Sequence, residues 1–124
     1  MIKQRIVKNG KLTILNEKNE ELLSICEKIE SGTMQMMVSG NITADVAHEF
    51  EDELMTAMTI CQSIEIDFEG VTGITSAGLK VLLSAQKMVD ELEGSMKLKK
   101  LKENVLKAFE EVGFDGLFDI EETN

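Results

Sequence analysis

The period of apolar and polar positions changes along the chain, and each change marks an element. In "TMQMMVSG", Met34, Met36 and Val38 alternate onto one face, and the preceding "LSICEKIES" alternates through Ile25, Glu27 and Ile29. With Ser31-Gly32 between them, the two segments predict a β-hairpin. From "GNITADVAHEFEDELMTAMTIC" onward the period becomes helical. Val46, Ala47, Phe50, Leu54, Ala57 and Met58 recur at three and four residues, with Asp45, Glu49, Asp52 and Glu53 on the far side. Thr43 fits the N-cap, and Asp45 sits in the first turn where the helix dipole favours an acid. "SIEIDFEG" then places Ile64, Ile66 and Phe68 on one face of a third strand. "GVTGITSAGLKVLLSAQ" opens a second helix that ends at Glu93-Gly94, and "SMKLKKL" is a short fourth strand. "ENVLKAFEEVG" is a third helix, with Val105, Ala108, Phe109 and Val112 inward and Gly113 as its C-cap. "GLFDIEE" supplies a last strand.

The resulting order is ββαβαβα. Helices of this length suit the crossovers that parallel strands require, so the expected fold class is α/β, a mixed sheet covered by helices. Residues 1–22 lie outside this pattern. "QRIVKNGKLTILNE" alternates around Asn9-Gly10, a strong hairpin signal. The expected organisation is therefore an N-terminal hairpin extension over 1–22, ending in a polar connector "KNEE", and a main domain over 23–124.

Composition narrows the function. The 124 residues suffice for one domain with a real core, and 43% apolar with 29% charged residues fits a folded protein. No apolar run approaches the ~20 residues of a membrane span. The N-terminus lacks a signal peptide's apolar core, so the expected location is the cytoplasm. Twenty-three acids against thirteen bases give a net charge of −10. Such a surface repels nucleic acid and anionic membrane and favours a basic or apolar protein partner. Cys26 and Cys61 stand apart in apolar surroundings and read as buried free thiols. A monomer or weak homodimer is expected.

Catalytic chemistry is sparse. The single histidine, His48, falls on the polar face of the first helix, and no GxSxG elbow surrounds Ser76. A zinc site needs more His and Cys than the chain holds, and "DFEGVTG" has neither a GxGxxG pattern nor a Walker lysine. Asp67 and Glu69 share a strand face, where solvated carboxylates are the ordinary reading. No catalytic residue, metal or cofactor is expected, and the protein is read as a non-enzyme.

Ser76 is the position that asks for an explanation. The ordinary one is a helix start, with Thr75 or Ser76 as N-cap. A wheel at 100° per residue sets Ala77, Val81, Leu82, Ala85, Met88, Val89 and Leu92 in an arc of about 140°. Leu79 and Leu83 fall outside it on the side of Ser76, flanked by Lys80 and Lys87. A phosphoserine there would meet unpaired N–H groups and a favourable dipole, and would place charge beside an apolar docking surface.

These residues carry a resemblance. "IDFEGVTGITSAGLKVLL", "EGSMKLKKL" and "ENVLKAFEEVGFDGLFDI" together resemble the STAS domain, and in particular the single-domain bacterial anti-sigma-factor antagonists. That family opens a helix with a D-S-[ST]-G-L type motif, and "VSGNIT" resembles its G-x-L-D turn. The likeness covers about residues 24–120. It implies that Ser76 matches the serine phosphorylated by the partner kinase, with Ala77, Gly78 and Leu79 continuing the motif. Two positions depart: the acid before the serine is Thr75 here, and the acid of the turn is Thr43. Both departures bear on kinase recognition rather than on fold, and Thr75 is an alternative acceptor.

The resemblance implies a binding module that docks on an anti-sigma factor with a serine-kinase fold and is switched off by phosphorylation of Ser76. The partner surface would comprise Thr43, Thr75, Ser76, Ala77, Gly78, Leu79, Lys80 and Leu83. A second reading is a STAS scaffold or ligand-sensing subunit of another regulatory complex, not phosphorylated. A third, a hydrolase with Ser76 as nucleophile, needs a nearby base and is offered only His48.

Overall fold

A computed structural model describes residues 3–121. Seven strands form one sheet in sequence order: β1 (Gln4–Lys8), β2 (Lys11–Leu15), β3 (Glu21–Glu30), β4 (Thr33–Ile42), β5 (Ser63–Ile74), β6 (Ser95–Lys99) and β7 (Asp119–Ile120). The helices α1 (Ala44–Ile60), α2 (Ser76–Glu91) and α3 (Glu103–Glu111) connect the later strands, and a 3₁₀ turn at Asp115–Leu117 precedes β7. Strands β1 to β4 pair antiparallel, and β4 to β7 pair parallel. The mixed α/β architecture expected from the alternating periods is the one found.

Turn chemistry accounts for the antiparallel half. Asn9 and Gly10 both adopt positive φ (51° and 76°), as do Ser31 and Gly32 (52° and 80°). These are the mirror-image turns whose twist matches that of paired strands. The N-terminal hairpin extends the same sheet, because β2 pairs with β3 and brings Leu12 and Ile14 into the common core.

The core lies on one face of the sheet. Met34, Met36 and Val38 on β4, Ile64, Ile66 and Phe68 on β5, and Met96 and Leu98 on β6 are buried there with Phe50 and Leu54 of α1 and Val105 and Phe109 of α3. The alternate positions are mostly polar, with Met37 the exposed apolar exception on β4. Glu65 pairs with Lys99 at 3.2 Å, and Lys100 lies 3.5 and 3.4 Å from Asp67 and Glu69. Asp67 and Glu69 are thus half of a lysine-centred cluster, and they raise the pKa of Lys100, Asp67 by its charge most of all.

Helix α2 departs from the wheel. Leu79, placed outside the core arc, is 3% exposed, whereas Met88 and Leu92 from that arc are exposed. Gly78 explains the shift. A Cβ there would come within 2.7 Å of side-chain atoms of both Ile42 and Ile74, so this residue marks the line of closest approach. The buried residues Gly78, Leu82, Ala85 and Val89 follow that line. A wheel counting only apolar side chains omits the glycine and turns the helix by roughly 50°.

Val112, expected inward, is exposed as well. It occupies the C-cap of α3, where Gly113 turns at φ 73° and the Phe114 N–H returns to the Phe109 carbonyl at 2.8 Å. The chain there tucks Phe114 inward instead. Glu49 and Glu53, read as the solvent side of α1, are half-buried against the N-terminal hairpin. Glu49 lies 2.6 Å from Lys3 and Glu53 2.9 Å from Arg5.

Candidate functional site: the paired starts of two helices

Two adjacent parallel strands deliver two helix N-termini to one edge of the fold. Asn41 pairs with Gly73 and Ile42 with Ile74, after which α1 begins behind Thr43 and α2 behind Thr75. Earlier along the pair, an extra residue in β5 sets Gly70 against Ser39, where a Cβ would fall 2.2 Å from the serine Oγ. A second extra residue in β5 follows, since Gly40 pairs with Val71 but Asn41 with Gly73. The carboxyl ends of parallel strands are where open α/β sheets present their sites.

The two threonines occupy equivalent cap positions and use them differently. Thr43 caps α1, its Oγ1 accepting from the Asp45 N–H at 3.3 Å. Thr75 does not cap α2. Its backbone N–H and its hydroxyl both donate to the Ile42 carbonyl, at 3.0 and 3.2 Å. The Thr75 side chain therefore ties the start of α2 back to β4 and leaves the first-turn N–H groups without a side-chain acceptor. The sequence expectation that a hydroxyl at Thr75 or Ser76 caps α2 is corrected here, because the Ile42 carbonyl claims the Thr75 hydroxyl.

Ser76 is the first residue of α2 and is exposed. Thr75 and Lys80 are exposed beside it, and Thr43, Ala77 and Leu83 are half-buried. Gly78 and Leu79 are buried. They shape the site by holding α2 against Ile42 and Ile74 and offer little surface of their own. The expected presentation of apolar surface on this side of α2 therefore rests on Leu83 and not on Leu79. No charged side chain belongs to the triplet Thr43, Thr75 and Ser76, so its surface is hydroxyl-bearing and neutral.

Outside this edge, His48 is exposed and pairs with Asp52 at 3.4 Å, one turn along α1. Both cysteines are free thiols, and Cys61 is buried as expected, but Cys26 is only half-buried because it lies on the face of β3 turned away from the core. A feature the sequence reading passed over is the seam between the hairpin and α1. Lys3 and Arg5 alternate onto one face of the N-terminal segment, while Glu49 and Glu53 lie four apart on α1. A strand advance of two residues, about 6.7 Å, nearly equals a helix rise of four, about 6 Å. That matched spacing was the available signal.

Among the described residues, no helix is long and apolar enough to cross a membrane. No curated protein sequence matches the chain. Solved structures share its fold. An anti-sigma factor antagonist from Mycobacterium paratuberculosis aligns with a TM-score of 0.73 at 20% identity, over 82% of this chain and 86% of that one. The Bacillus protein SpoIIAA, an anti-sigma factor antagonist solved in unphosphorylated and phosphorylated forms, aligns in its unphosphorylated form with a TM-score of 0.67 at 16% identity, over 79% and 88%. A sulfate transporter family protein from Wolinella succinogenes aligns with a TM-score of 0.63 at 16% identity, over 73% and 74%. At these identities the likeness is one of fold. The family model described as "Mlab, STAS domain" matches residues 26–120, most of the chain and all of the edge built by α1 and α2. The chain belongs to the STAS domain family.

Proposed function

We propose that the protein is an anti-sigma-factor antagonist, a non-enzymatic binding module that docks on an anti-sigma factor of serine-kinase fold through the edge formed by Thr43, Thr75, Ser76, Ala77, Lys80 and Leu83. Gly78 and Leu79 support that edge from beneath. Phosphorylation of Ser76 ends the interaction. The observation that carries this reading is the exposed Ser76 hydroxyl at the first position of a helix whose neighbouring threonine is engaged elsewhere. A phosphate at that point meets free N–H groups and the positive end of the dipole. It brings nearly two negative charges to a surface whose hydroxyls are neutral, and a partner that desolvates the surface then meets unpaired charge. Thr75 is the fallback acceptor, but its hydroxyl must first leave the Ile42 carbonyl.

A pair of substitutions tests the switch. Ser76→Ala keeps the surface neutral, and binding to the cognate anti-sigma kinase is expected to persist. Ser76→Asp places a charge at the interface and is expected to weaken binding by on the order of 2–5 kcal/mol, more than tenfold. Incubation with kinase and ATP is expected to add one phosphate, read by intact-mass spectrometry and absent from Ser76→Ala. Equal binding by Ser76→Asp, with no phosphate incorporated, would sink the switch.

That outcome would favour the second reading, a STAS scaffold or ligand-sensing subunit of another complex. The specific observation on its side is that threonines stand at both cap positions where the antagonist pattern has acids. A sulfate transporter family protein shares the fold.

A further inference from the structure

A broadly open cavity of about 450 Å³ lies along the seam between the N-terminal hairpin and α1. Its walls are apolar, formed by Val7, Leu12, Ile25, Ile29, Met34 and Ile60. Val7, Ile29 and Ile60 are 63%, 54% and 56% exposed, so three of the larger apolar side chains left at the surface gather at one mouth. At its polar end stand Glu27 of β3 and Glu53 of α1, both lining the cavity, and Glu53 is near enough to act on the pKa of Glu27. Oε1 of Glu27 is buried and has no donor among the described residues. The size, apolar lining and few convergent polar groups are those of a small-molecule site.

We infer that this cavity binds a small amphipathic cation, a primary ammonium on a short apolar body, with its head between Glu27 and Glu53. Two cationic side chains, Arg5 and Lys28, also line the cavity, but neither pairs with Glu27. Arg5 is committed to Glu53 from one side at 2.9 Å, Lys3 to Glu49 at 2.6 Å, and Lys28 turns toward Glu30 at 3.7 Å. Two facing carboxylates without a donor between them share a proton or take a cation. Burial first, and then the hydrogen bond and charge of Glu53, push Glu27 up to about 7. Near neutrality that proton is therefore exchangeable. Each ammonium bound displaces one proton from Glu27 to solvent, and the apolar body lies along the walls. The net charge of −10 draws cations toward the protein and disfavours anions.

Isothermal titration of the full chain with n-hexylammonium, at pH 6 and pH 8, tests the inference. Saturable one-site binding is expected, about tenfold tighter at pH 8 than at pH 6, because ionisation of Glu27 is linked to binding. At pH 6, titrations in buffers of different ionisation enthalpy are expected to report close to one proton released. Hexanoate and 1-hexanol are expected to bind at least tenfold more weakly. So are Glu27→Gln, which keeps the shape but not the charge, and Ile60→Trp, which crowds the exposed mouth and leaves the buried core alone. Absence of saturable binding would overturn the inference. So would hexanoate binding as tightly as the ammonium, equal affinity at the two pH values, or full affinity in a folded Glu27→Gln. Should Glu27→Gln fail to fold, unchanged affinity in Ile60→Trp has the same force. None of these measurements involves Ser76 or an anti-sigma partner, so failure here leaves the proposed switch standing.

Discussion

The edge where α1 and α2 begin and the seam where the hairpin crosses α1 are built from opposite materials. At the edge, the hydroxyls of Thr43 and Thr75 meet backbone groups, that of Ser76 is exposed, and Gly78 lets a helix approach two isoleucines closely. At the seam, Lys3 pairs with Glu49 and Arg5 with Glu53, and Arg5, Glu27, Lys28 and Glu53 are the charged residues lining a mostly apolar cavity. The contrast has a physical logic. At the edge, the proposed phosphate would join three uncharged hydroxyl residues, with exposed Lys80 the one charged side chain among the proposed docking residues. At the seam the hairpin is already held by the pairing of β2 with β3 and by the buried Leu12 and Ile14, so the charge pairs fasten mainly the edge strand β1 and the segment before it to α1.

The two regions should also fail differently. Gly78→Val is expected to have the largest effect, forcing atoms into Ile42 and Ile74 and lowering stability by about 1–3 kcal/mol. Urea denaturation reads the loss. An unchanged midpoint would show that the glycine does not set the approach of α2. Thr75→Val comes next, removing the hydroxyl that ties α2 to Ile42 for about 0.5–1.5 kcal/mol, while leaving phosphate incorporation at Ser76 intact. Loss of phosphorylation in that variant would assign Thr75 a larger part in the switch.

At the seam the effects are smaller and depend on pH. The folded value of Glu27, about 7, lies above its ordinary value, so the native state holds a proton that the unfolded chain gives up. The associated stabilisation is complete below about 4.5 and is lost as pH rises through about 7. Relative to Glu27→Gln, which does not titrate, the parent is expected to lose melting temperature between pH 5 and pH 8. Parallel curves would remove the shared proton from the account. Glu49 behaves in the opposite sense. Burial alone would raise its pKa, but the hydrogen bond and charge of Lys3 lower it overall, so its contribution fades as the solution becomes acidic. The smallest effect is expected for Arg5→Ala, whose exposed ion pair with Glu53 contributes about 0.2–1 kcal/mol. Amide exchange in β1 should accelerate there, with the edge at Ser76 unaltered.

The local half of this protein was legible in the chain. The positive-φ turns at Asn9-Gly10 and Ser31-Gly32, the Thr43 cap, the change from alternating to helical period, and the position of Ser76 at the start of α2 all depend on neighbours a few residues away. Such rules act before the fold exists. Tertiary structure decided what depends on where a helix rests. Leu79 was drawn inside and Met88 left outside because Gly78, invisible to a count of apolar side chains, set the line of contact with Ile42 and Ile74. Thr75 gave its hydroxyl to a carbonyl 33 positions earlier, and Glu49 and Glu53 turned from solvent to the hairpin. Periodicity reports how apolar a face is, whereas the depth of a face depends on the surface brought against it. That surface comes from strands distant in sequence, and only the assembled sheet supplies it.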